Sequence, residues 1–313
     1  VKNRLKNTLN QKLKNTVAQQ KHTALHQEKI CMKMSSQEFL QWKSKSITLL
    51  AMSGAGKTTL ANKLPREKWF HYSGDYRIGT KYLDEPILDN IKQQAMEVPF
   101  LKDLLLSDSI YICNNVSVDN LAPVSSFLGK IGDSKLGGLT LSQFKRRQAL
   151  HHKAEIAAMY DVSEFIHKAE SLYGYKHFIN DAGGSVCELD DPAILEHLAK
   201  HTLIIYIKTS PEFNETIINR AKTSPKPLYY REAFLDQHLA EFMREKNYSD
   251  IVTLPPDEFV SWVFPKLFKS RLPRYQAIAD TYGYTLNACD VANVKDDTDF
   301  IQLIAAAIDQ QTP

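Results

Sequence analysis

Hydrophobic positions follow two different periods along the chain, and this pattern predicts strands separated by helices. Short apolar runs predict strands at 46–52, 69–73, 109–118, 176–180, 201–208 and 284–287. Helical spacing predicts helices at 58–64, 84–106, 141–171 with an interruption near Asp161, within 211–270 around a bend at Pro225 and Pro227, and at 272–282. Residues 203–207 are apolar without alternation, which is typical of a parallel strand buried on both faces. We therefore predict an α/β fold in which helices cover both faces of a parallel sheet, giving three layers.

The first predicted strand runs into a glycine-containing turn, and a helix follows directly. The turn reads Ala51-Met52-Ser53-Gly54-Ala55-Gly56-Lys57-Thr58. This satisfies the phosphate-loop pattern GxxxxGK[S/T], except that Ala occupies the first glycine position. In such a loop the backbone N–H groups and the helix N-terminus face the phosphates, and the glycines allow close approach. The context of strand, loop and helix predicts a P-loop NTPase fold.

The same loop predicts a nucleotide site that binds ATP with Mg²⁺. We expect Lys57 to reach the β- and γ-phosphates and the hydroxyl of Thr58 to hold magnesium. No NKxD-type guanine-reading motif stands out downstream, so ATP is favoured over GTP. The other predicted nucleotide contacts are Ser53, Gly54, Ala55, Gly56 and Thr59.

Charge is distributed unevenly along the 313 residues, whose formal net charge is +3. Residues 1–33 contain eight Lys or Arg and one Glu, so they carry +7 and the remainder carries −4. Clustered Lys and Arg are what nucleic acid binding requires, so only the basic segment suggests such a partner. We predict a basic disordered leader or upstream extension at 1–33 and a P-loop kinase-like domain at 34–313.

Other features of the composition exclude several classes of protein. No apolar run is long enough to span a membrane, and residues 1–33 lack the apolar stretch of a secretory signal. The four cysteines, Cys31, Cys113, Cys187 and Cys289, are scattered without a CxxC pair, which favours free thiols and a cytoplasmic protein. His151 and His152 are adjacent in a predicted helix, so we interpret them as solvated residues rather than metal ligands.

Four short windows between residues 47 and 287 resemble the shikimate-kinase-like small-molecule kinases. The phosphate loop is the first, and Tyr72-Ser73-Gly74-Asp75 is the second, placed where that family has an aspartate pair. Only the second Asp is kept. The resemblance implies that Asp75 contacts the accepting hydroxyl and orients it or takes its proton, whereas Ser73 stands where the family has a magnesium contact. The alternative interpretation is that Asp75 is a helix N-cap.

The third and fourth windows imply further contacts to substrate and metal. Asn180-Asp181-Ala182-Gly183-Gly184-Ser185 resembles the glycine-rich substrate turn, with Gly183 and Gly184 facing a polar substrate. Asp181 ends a strand like a Walker B carboxylate and would bind the magnesium shell; an ordinary Asp-x-Gly turn is the alternative. The last window, Arg271-Leu272-Pro273-Arg274-Tyr275 followed by Ala279-Asp280, resembles a segment that opens a late helix in the family. There Arg271 would bind an anionic group of the substrate.

The lid and the insertions complete the resemblance. Arg220 and Ser224-Pro225-Lys226-Pro227-Leu228 resemble a lid in which Arg220 covers adenine and Lys226 stands at the position of a catalytic Arg, with Arg231 as a rival. Arg146 is a candidate for a further substrate arginine. Segments at about 84–142 and 232–262 have no counterpart in a compact shikimate kinase, and we interpret them as helical insertions.

Together these observations predict a kinase that transfers the γ-phosphate of MgATP to a hydroxyl of a small anionic metabolite. The predicted catalytic residues are Lys57, Asp75 and Lys226. One alternative is an ATPase or a nucleotide-controlled switch whose insertions bind a protein partner. Another is a nucleic-acid-binding module that uses the basic segment at 1–33.

Overall fold

Five strands form one parallel sheet in the order β2-β3-β1-β4-β5 in a computed structural model that describes residues 33–312. The strands are β1 (Ser46–Leu50), β2 (Trp69–Ser73), β3 (His177–Asp181), β4 (Leu203–Lys208) and β5 (Gly283–Asn287). Each agrees with a strand predicted from the sequence. The strand predicted at 109–118 is wrong, because that segment has only an isolated bridge between Ser117 and Asn120.

Thirteen α-helices connect and cover the strands within residues 33–312. They are α1 (Ser36–Gln41), α2 (Lys57–Lys63), α3 (Gly74–Arg77), α4 (Asp84–Ala95), α5 (Pro99–Leu106), α6 (Ala122–Leu128), α7 (Leu141–Ser171), α8 (Pro192–His201), α9 (Pro211–Thr223), α10 (Glu232–Lys246), α11 (Pro256–Tyr282), α12 (Ala288–Asn293) and α13 (Asp297–Gln311). A π-helical turn (Ile78–Tyr82) joins α3 to the segment before α4.

Helix boundaries differ from the sequence prediction at three places. Residues 84–106 form two helices, since α5 begins anew with Pro99 in its first turn. Helix α7 continues without interruption past Asp161, which pairs with Arg77 at 2.7 Å. Helix α11 runs through Pro265 and Pro273, so the segment that begins with Arg271 lies inside a long helix and does not open one.

Strand residues alternate between two apolar cores, one on each face of the sheet. On β4, Leu203 and Ile205 pack with β1, α2 and α13, while Ile204 and Tyr206 pack with α7, α8 and α11. A strand covered by helices on both faces needs apolar residues at consecutive positions, which explains the unbroken apolar run in β4. The predicted three-layer arrangement is confirmed, and the parallel sheet brings all strand ends of one kind to one edge.

A third apolar cluster packs α10 and the first half of α11 against the beginning of α7. Phe242, Leu254 and Phe259 are fully buried there. Helix α5 contrasts with this cluster because none of its residues is buried; Phe100 is 71% exposed and Leu106 is 67% exposed. These regions overlap the insertions predicted at 232–262 and 84–142, and the division of the chain into a core and insertions stays a prediction.

The basic segment predicted as a leader, apart from Lys33, lies outside the described residues. None of the helices between residues 33 and 312 combines the length and the apolar character that crossing a bilayer requires. Cys113, Cys187 and Cys289 are free thiols in this part of the chain.

Candidate functional site

The phosphate loop lies between β1 and α2, at the carboxyl edge of the sheet. Gly54 and Gly56 have φ values of +87° and +96°, a region in which residues with a side chain are strained. Gly56 is the residue immediately before α2, so the turn of the chain and the helix N-terminus coincide. Lys57 is buried, and its Nζ donates to the carbonyl oxygen of Ala51 at 2.9 Å. Its ammonium group is therefore held within the loop, where phosphate oxygens would be its natural acceptors.

Strand register places the carboxylate of Asp181 beside the loop. Asp181 is the register partner of Leu49 on β1 and of Ser73 on β2. Its Oδ2 accepts a hydrogen bond from Thr58 Oγ1 at 2.5 Å and lies 3.8 Å from His71 Nε2. Burial alone would raise the pKa of Asp181, but His71, Lys57 and Thr58 outweigh burial and lower it. Asp181 is thus held as a carboxylate next to a hydroxyl.

These two oxygens fit the needs of a magnesium ion. Magnesium usually takes one or two protein oxygens and completes its shell with phosphate and water, and Thr58 Oγ1 and Asp181 Oδ2 are already in contact. Within residues 33–312 no three His, Cys, Asp or Glu side chains are grouped so that they could hold a metal ion by themselves. A magnesium ion at this place would depend on the bound nucleotide.

Asp75 lies in the first turn of α3, directly after β2. The N-cap of that helix is Ser73, whose hydroxyl accepts from the Tyr76 amide at 3.3 Å. The alternative interpretation of Asp75 as the N-cap is therefore wrong, and its carboxylate is not used for capping. Burial, with a further contribution from the nearby Asp181, raises the pKa of Asp75 to about 6. The carboxyl group of Asp75 is therefore mostly ionised at neutral pH but able to hold a proton.

The predicted glycine turn lies between the phosphate loop and Asp75. A Cβ atom on Gly184 would lie 3.4 Å from the Ser53 amide nitrogen, so this residue faces the loop. A Cβ atom on Gly183 would lie 2.5 Å from Glu155 Oε1 and 3.1 Å from Asp75 Oδ1. Position 183 therefore excludes a side chain because two carboxylates already occupy that space.

Glu155 on α7 is fully buried, with 0% exposure, although it is a carboxylic acid. Its Oε2 accepts a hydrogen bond from Ser185 Oγ at 2.6 Å, whereas Oε1 is buried and has no hydrogen-bond partner among the described residues. Burial raises the pKa of Glu155 to about 7, with Asp75 contributing to the rise. A buried acceptor without a donor is costly, so Oε1 needs an explanation.

His151, one turn before Glu155 on α7, is buried. The expectation that His151 is solvated is wrong, since its ring lies against Tyr229 with 5.5 Å between ring centroids. His152, partly buried, also contacts Tyr229, at 5.9 Å between ring centroids. Burial, together with Arg271 and His152, lowers the pKa of His151 to about 4. His151 is therefore neutral near pH 7, and its Nδ1, 3.8 Å from Glu155 Oε2, gives that carboxylate no counter-charge.

Arg271 lies behind the glycine turn and is 5% exposed. Its Nη1 donates to the Gly184 carbonyl at 3.0 Å and its Nη2 to the Tyr229 carbonyl at 2.7 Å, while Nε lies 3.5 Å from Glu188 Oε1. The guanidinium group thus connects the glycine turn to the segment before α10. Its predicted role as a substrate anchor stays a prediction, and these contacts engage it within the protein.

The other predicted basic residues are more distant from these contacts. Arg231 donates from Nε to the buried Glu188 at 2.7 Å and from Nη1 to Asp190 at 3.3 Å. Arg220 and Lys226 have exposed side chains on α9 and in the following loop. Arg146 is exposed on α7 and lines a groove with Pro86, Asn90 and Phe127. The structure brings together the loop, Asp75, Asp181 and the glycine turn, but not Arg146 or Arg220.

A largely apolar cavity of about 490 Å³ opens at the carboxyl ends of β4 and β5. Phe213 and Pro211 come from the start of α9, and Ala288, Cys289 and Ala292 come from α12. Because β4 pairs with β1, the cavity lies on the same edge of the sheet as the phosphate loop. Its apolar walls and its position suit a flat aromatic group.

Sequence reasoning assigned no role to the polar residues His71, Glu155 and Ser185, and it placed His151 in solvent. Two signals were present. His151 and Glu155 are four residues apart in a predicted helix and therefore share one face. His71 and Ser73 alternate on a predicted strand and therefore share one side of the sheet.

Comparisons with known proteins give structural likenesses but no likeness in sequence. No protein-family model matches the chain, and no match was found among curated proteins. A crystal structure of shikimate kinase from Bacteroides thetaiotaomicron is similar, with 12% sequence identity, coverage of 85% of this chain and 95% of that chain, and a TM-score of 0.36. The assignment of a kinase-like P-loop fold rests on the chain's own features: the parallel sheet with order β2-β3-β1-β4-β5 and the phosphate loop after its central strand.

Proposed function

We propose that the chain is an ATP-dependent kinase that phosphorylates a hydroxyl group of a small metabolite. The observation that carries this proposal is the position of Asp75. A carboxylate with a pKa raised to about 6 lies across the glycine turn from a phosphate loop that contains Lys57 and Thr58. Phosphoryl transfer requires mainly positioning and charge stabilisation, and this arrangement offers both.

The phosphate side of the proposed site consists of the loop, Lys57, Thr58 and Asp181. ATP would place its phosphates in the loop, and Lys57 would exchange the Ala51 carbonyl for phosphate oxygens. Magnesium, held with Thr58 and Asp181, would neutralise charge on the β- and γ-phosphates. The residues that the phosphate-loop pattern assigns to nucleotide binding, from Ser53 to Thr59, are compatible with these roles.

On the acceptor side, Asp75 is proposed to take the proton of the substrate hydroxyl. The hydroxyl oxygen forms a bond to the γ-phosphorus, the bond between that phosphorus and the ADP oxygen breaks, and Asp75 holds the proton. Asp75 is ionised for most of the time at neutral pH, so it can accept this proton. The resemblance implies that Gly183 faces the substrate, and its missing side chain leaves room for Asp75 Oδ1 and Glu155 Oε1.

For the adenine base we propose the apolar cavity between the ends of β4 and β5. Phe213 and Ala288 contribute apolar surface to its lining, and its volume of about 490 Å³ can hold a purine. This proposal replaces Arg220 as the main adenine contact, because Arg220 is near the far end of α9 from the cavity.

The lid residues and the charge of the acceptor stay predictions. Lys226 is exposed and could move towards the phosphates, whereas Arg231 is already paired with Glu188. The expectation of an anionic acceptor rests on Arg271, whose guanidinium group donates to Gly184 and Tyr229. A cytoplasmic location is proposed from the free thiols, and binding of nucleic acid would depend on the basic segment at 1–33.

Transfer of label from γ-labelled MgATP tests the proposal. The full chain and its Lys57→Ala variant are incubated with a pooled metabolite extract, and the labelled products are separated. Label in a new small molecule with the wild type alone is the expected result. Label found solely as free phosphate, and released faster when a protein partner is added, would favour an ATPase or a nucleotide-controlled switch instead.

A further inference from the structure

Two carboxylates of the acceptor side form no ion pair with Lys or Arg in the described part of the chain, and the nearby cations Lys57 and Arg271 only partly offset the rise in pKa that burial causes in Asp75 and Glu155. Glu188 is paired with Arg231 and lies 3.5 Å from Arg271, and Asp181 accepts from Thr58 and is near Lys57. Within residues 33–312, by contrast, neither Asp75 nor Glu155 forms an ion pair with Lys or Arg.

These two carboxylates point at one place. The Cβ position of Gly183 is 3.1 Å from Asp75 Oδ1 and 2.5 Å from Glu155 Oε1, so both oxygens lie against the same glycine. Asp75 is partly exposed and Glu155 lies behind it, fully buried. Charges in such a poorly hydrated place act strongly on a ligand, since water screens them little.

Glu155 Oε1 also has an unused capacity to accept a hydrogen bond. Ser185 satisfies only Oε2, and the nearby His151 is neutral at physiological pH. Buried acceptors are nearly always paired in folded proteins. A donor brought by the substrate, directly or through one water molecule, would satisfy Oε1 beside the hydroxyl that Asp75 is proposed to receive.

We infer that Asp75 and Glu155 form a subsite for an ammonium group of the acceptor, so that the preferred acceptor is an amino alcohol rather than a hydroxy acid. This inference rests on the proposed kinase function and names its substrate class. A hydroxyl group would supply one donor and no positive charge to the two carboxyl groups. An ammonium group supplies three donors and a positive charge. An anionic acceptor is disfavoured at this place because Arg271, the cation predicted to bind it, donates to protein carbonyls.

Three ligands of equal carbon count separate these classes: 2-amino-1,3-propanediol, glycerol and glycerate. Binding of each to the full chain is measured by ligand-observed NMR with a non-hydrolysable MgATP analogue present. The amino alcohol should bind at least about tenfold more tightly than glycerol or glycerate, as expected for a hydrogen bond to a charged group. Glu155→Gln should remove most of this preference. Glu164→Gln, which removes an exposed charge on the same helix, should retain it.

Ligand binding and phosphate transfer are measured separately, so the ammonium subsite and the kinase function can be refuted independently. Equal or tighter binding of glycerate or glycerol, no detectable binding of the amino alcohol at millimolar concentration, or an unchanged preference in Glu155→Gln would each overturn the subsite. Phosphorylation of the amino alcohol from labelled ATP is measured in parallel. Preferential binding without any transfer would contradict the kinase function and leave the charge of the subsite supported.

Discussion

The phosphate side and the acceptor side of the site balance charge in opposite ways. The phosphate loop offers backbone N–H groups and Lys57, and its one carboxylate, Asp181, is accompanied by Thr58 and His71. The acceptor side offers Asp75 and Glu155, whose pKa values are raised to about 6 and about 7. The proposed phosphate side would bind an anion. The proposed acceptor side contains carboxyl groups that a proton or a cation would stabilise.

Lys57→Ala should have the largest effect because it removes the cation of the phosphate side. We expect transfer to fall by about a thousandfold, while the fold persists because Lys57 bonds only within its own loop. Labelled-phosphate transfer and circular dichroism measure the two quantities. Lys102→Ala is the matched control, since Lys102 is exposed on α5 and its loss should leave both quantities unchanged.

Asp75→Asn tests the acceptor side in the same assay. Loss of a general base should lower the transfer rate by about a hundredfold and leave binding of MgATP unchanged. Asp89→Asn, an exposed carboxylate on α4, serves as the control for the change in charge. Transfer at the wild-type rate in Asp75→Asn would show that this carboxylate does not take the proton.

Glu155→Gln should weaken the pH dependence of the free energy of unfolding, because it removes an ionisable carboxyl group from the acceptor side. Burial raises the pKa of Glu155 to about 7 in the folded chain, from an ordinary value of 4.5. The protonated acid therefore favours the folded state, and this contribution, present below about pH 4.5, is lost as the pH rises through about 7. The loss in the free energy of unfolding is on the order of 3 kcal/mol. The Gln variant should not show this loss, because its amide does not ionise.

Urea unfolding of the wild type and Glu155→Gln at about pH 5 and about pH 8 measures this loss. The wild type should lose more stability between the two pH values than the variant does. Glu164→Gln should follow the wild type, because Glu164 is exposed. Parallel curves for all three proteins would mean that Glu155 ionises normally in the folded chain.

Gly183→Ala and Gly184→Ala compare the two faces of the glycine turn. A methyl group at 183 would meet Glu155 Oε1 at 2.5 Å, whereas one at 184 would meet Ser53 at an ordinary contact distance of 3.4 Å. The first change should lower the free energy of unfolding by about 1–3 kcal/mol, and the second by less. Thermal unfolding of both variants measures the difference, and equal costs would contradict the crowding at position 183.

The smallest expected effect is on the alkylation of Cys289, which tests whether adenine binds in the apolar cavity between the ends of β4 and β5. Its exposed thiol lines that cavity, whereas the exposed Cys113 lies elsewhere. Saturating MgATP should slow alkylation of Cys289 several-fold and leave Cys113 unchanged, as peptide mass spectrometry would detect. Equal alkylation rates with and without nucleotide would mean that adenine does not bind in the cavity.

The phosphate side could be predicted from the sequence because its parts are contiguous. One strand, one turn and one helix contain the glycines, Lys57 and Thr58, and local geometry fixes their relations. Asp75 and Asp181 were singled out by the resemblance to shikimate-kinase-like kinases, and the structure places them at the carboxyl ends of the neighbouring strands β2 and β3. The strand order itself was not deducible, because it depends on how distant segments pair.

The acceptor side was harder to predict because its partners are far apart in the chain. Glu155 meets Gly183 and Ser185 only after a long helix has packed across the sheet, and the sequence there reads as an ordinary amphipathic helix. Arg271 could be located but its partners could not, since the carbonyls of Gly184 and Tyr229 are not visible in a pattern of side chains. The false strand at 109–118 arose from β propensity, which tertiary context overrides.

Helix α5 is expected to unfold locally while the rest of the chain stays folded. A helix of eight residues that buries none of its side chains gains almost nothing from tertiary packing, and isolated helices of that length are marginal in water. Its backbone hydrogen bonds should open and close without disturbing the sheet. Amide hydrogens between residues 99 and 106 are therefore expected to exchange with deuterium within the earliest time points, long before those of the central strand β1.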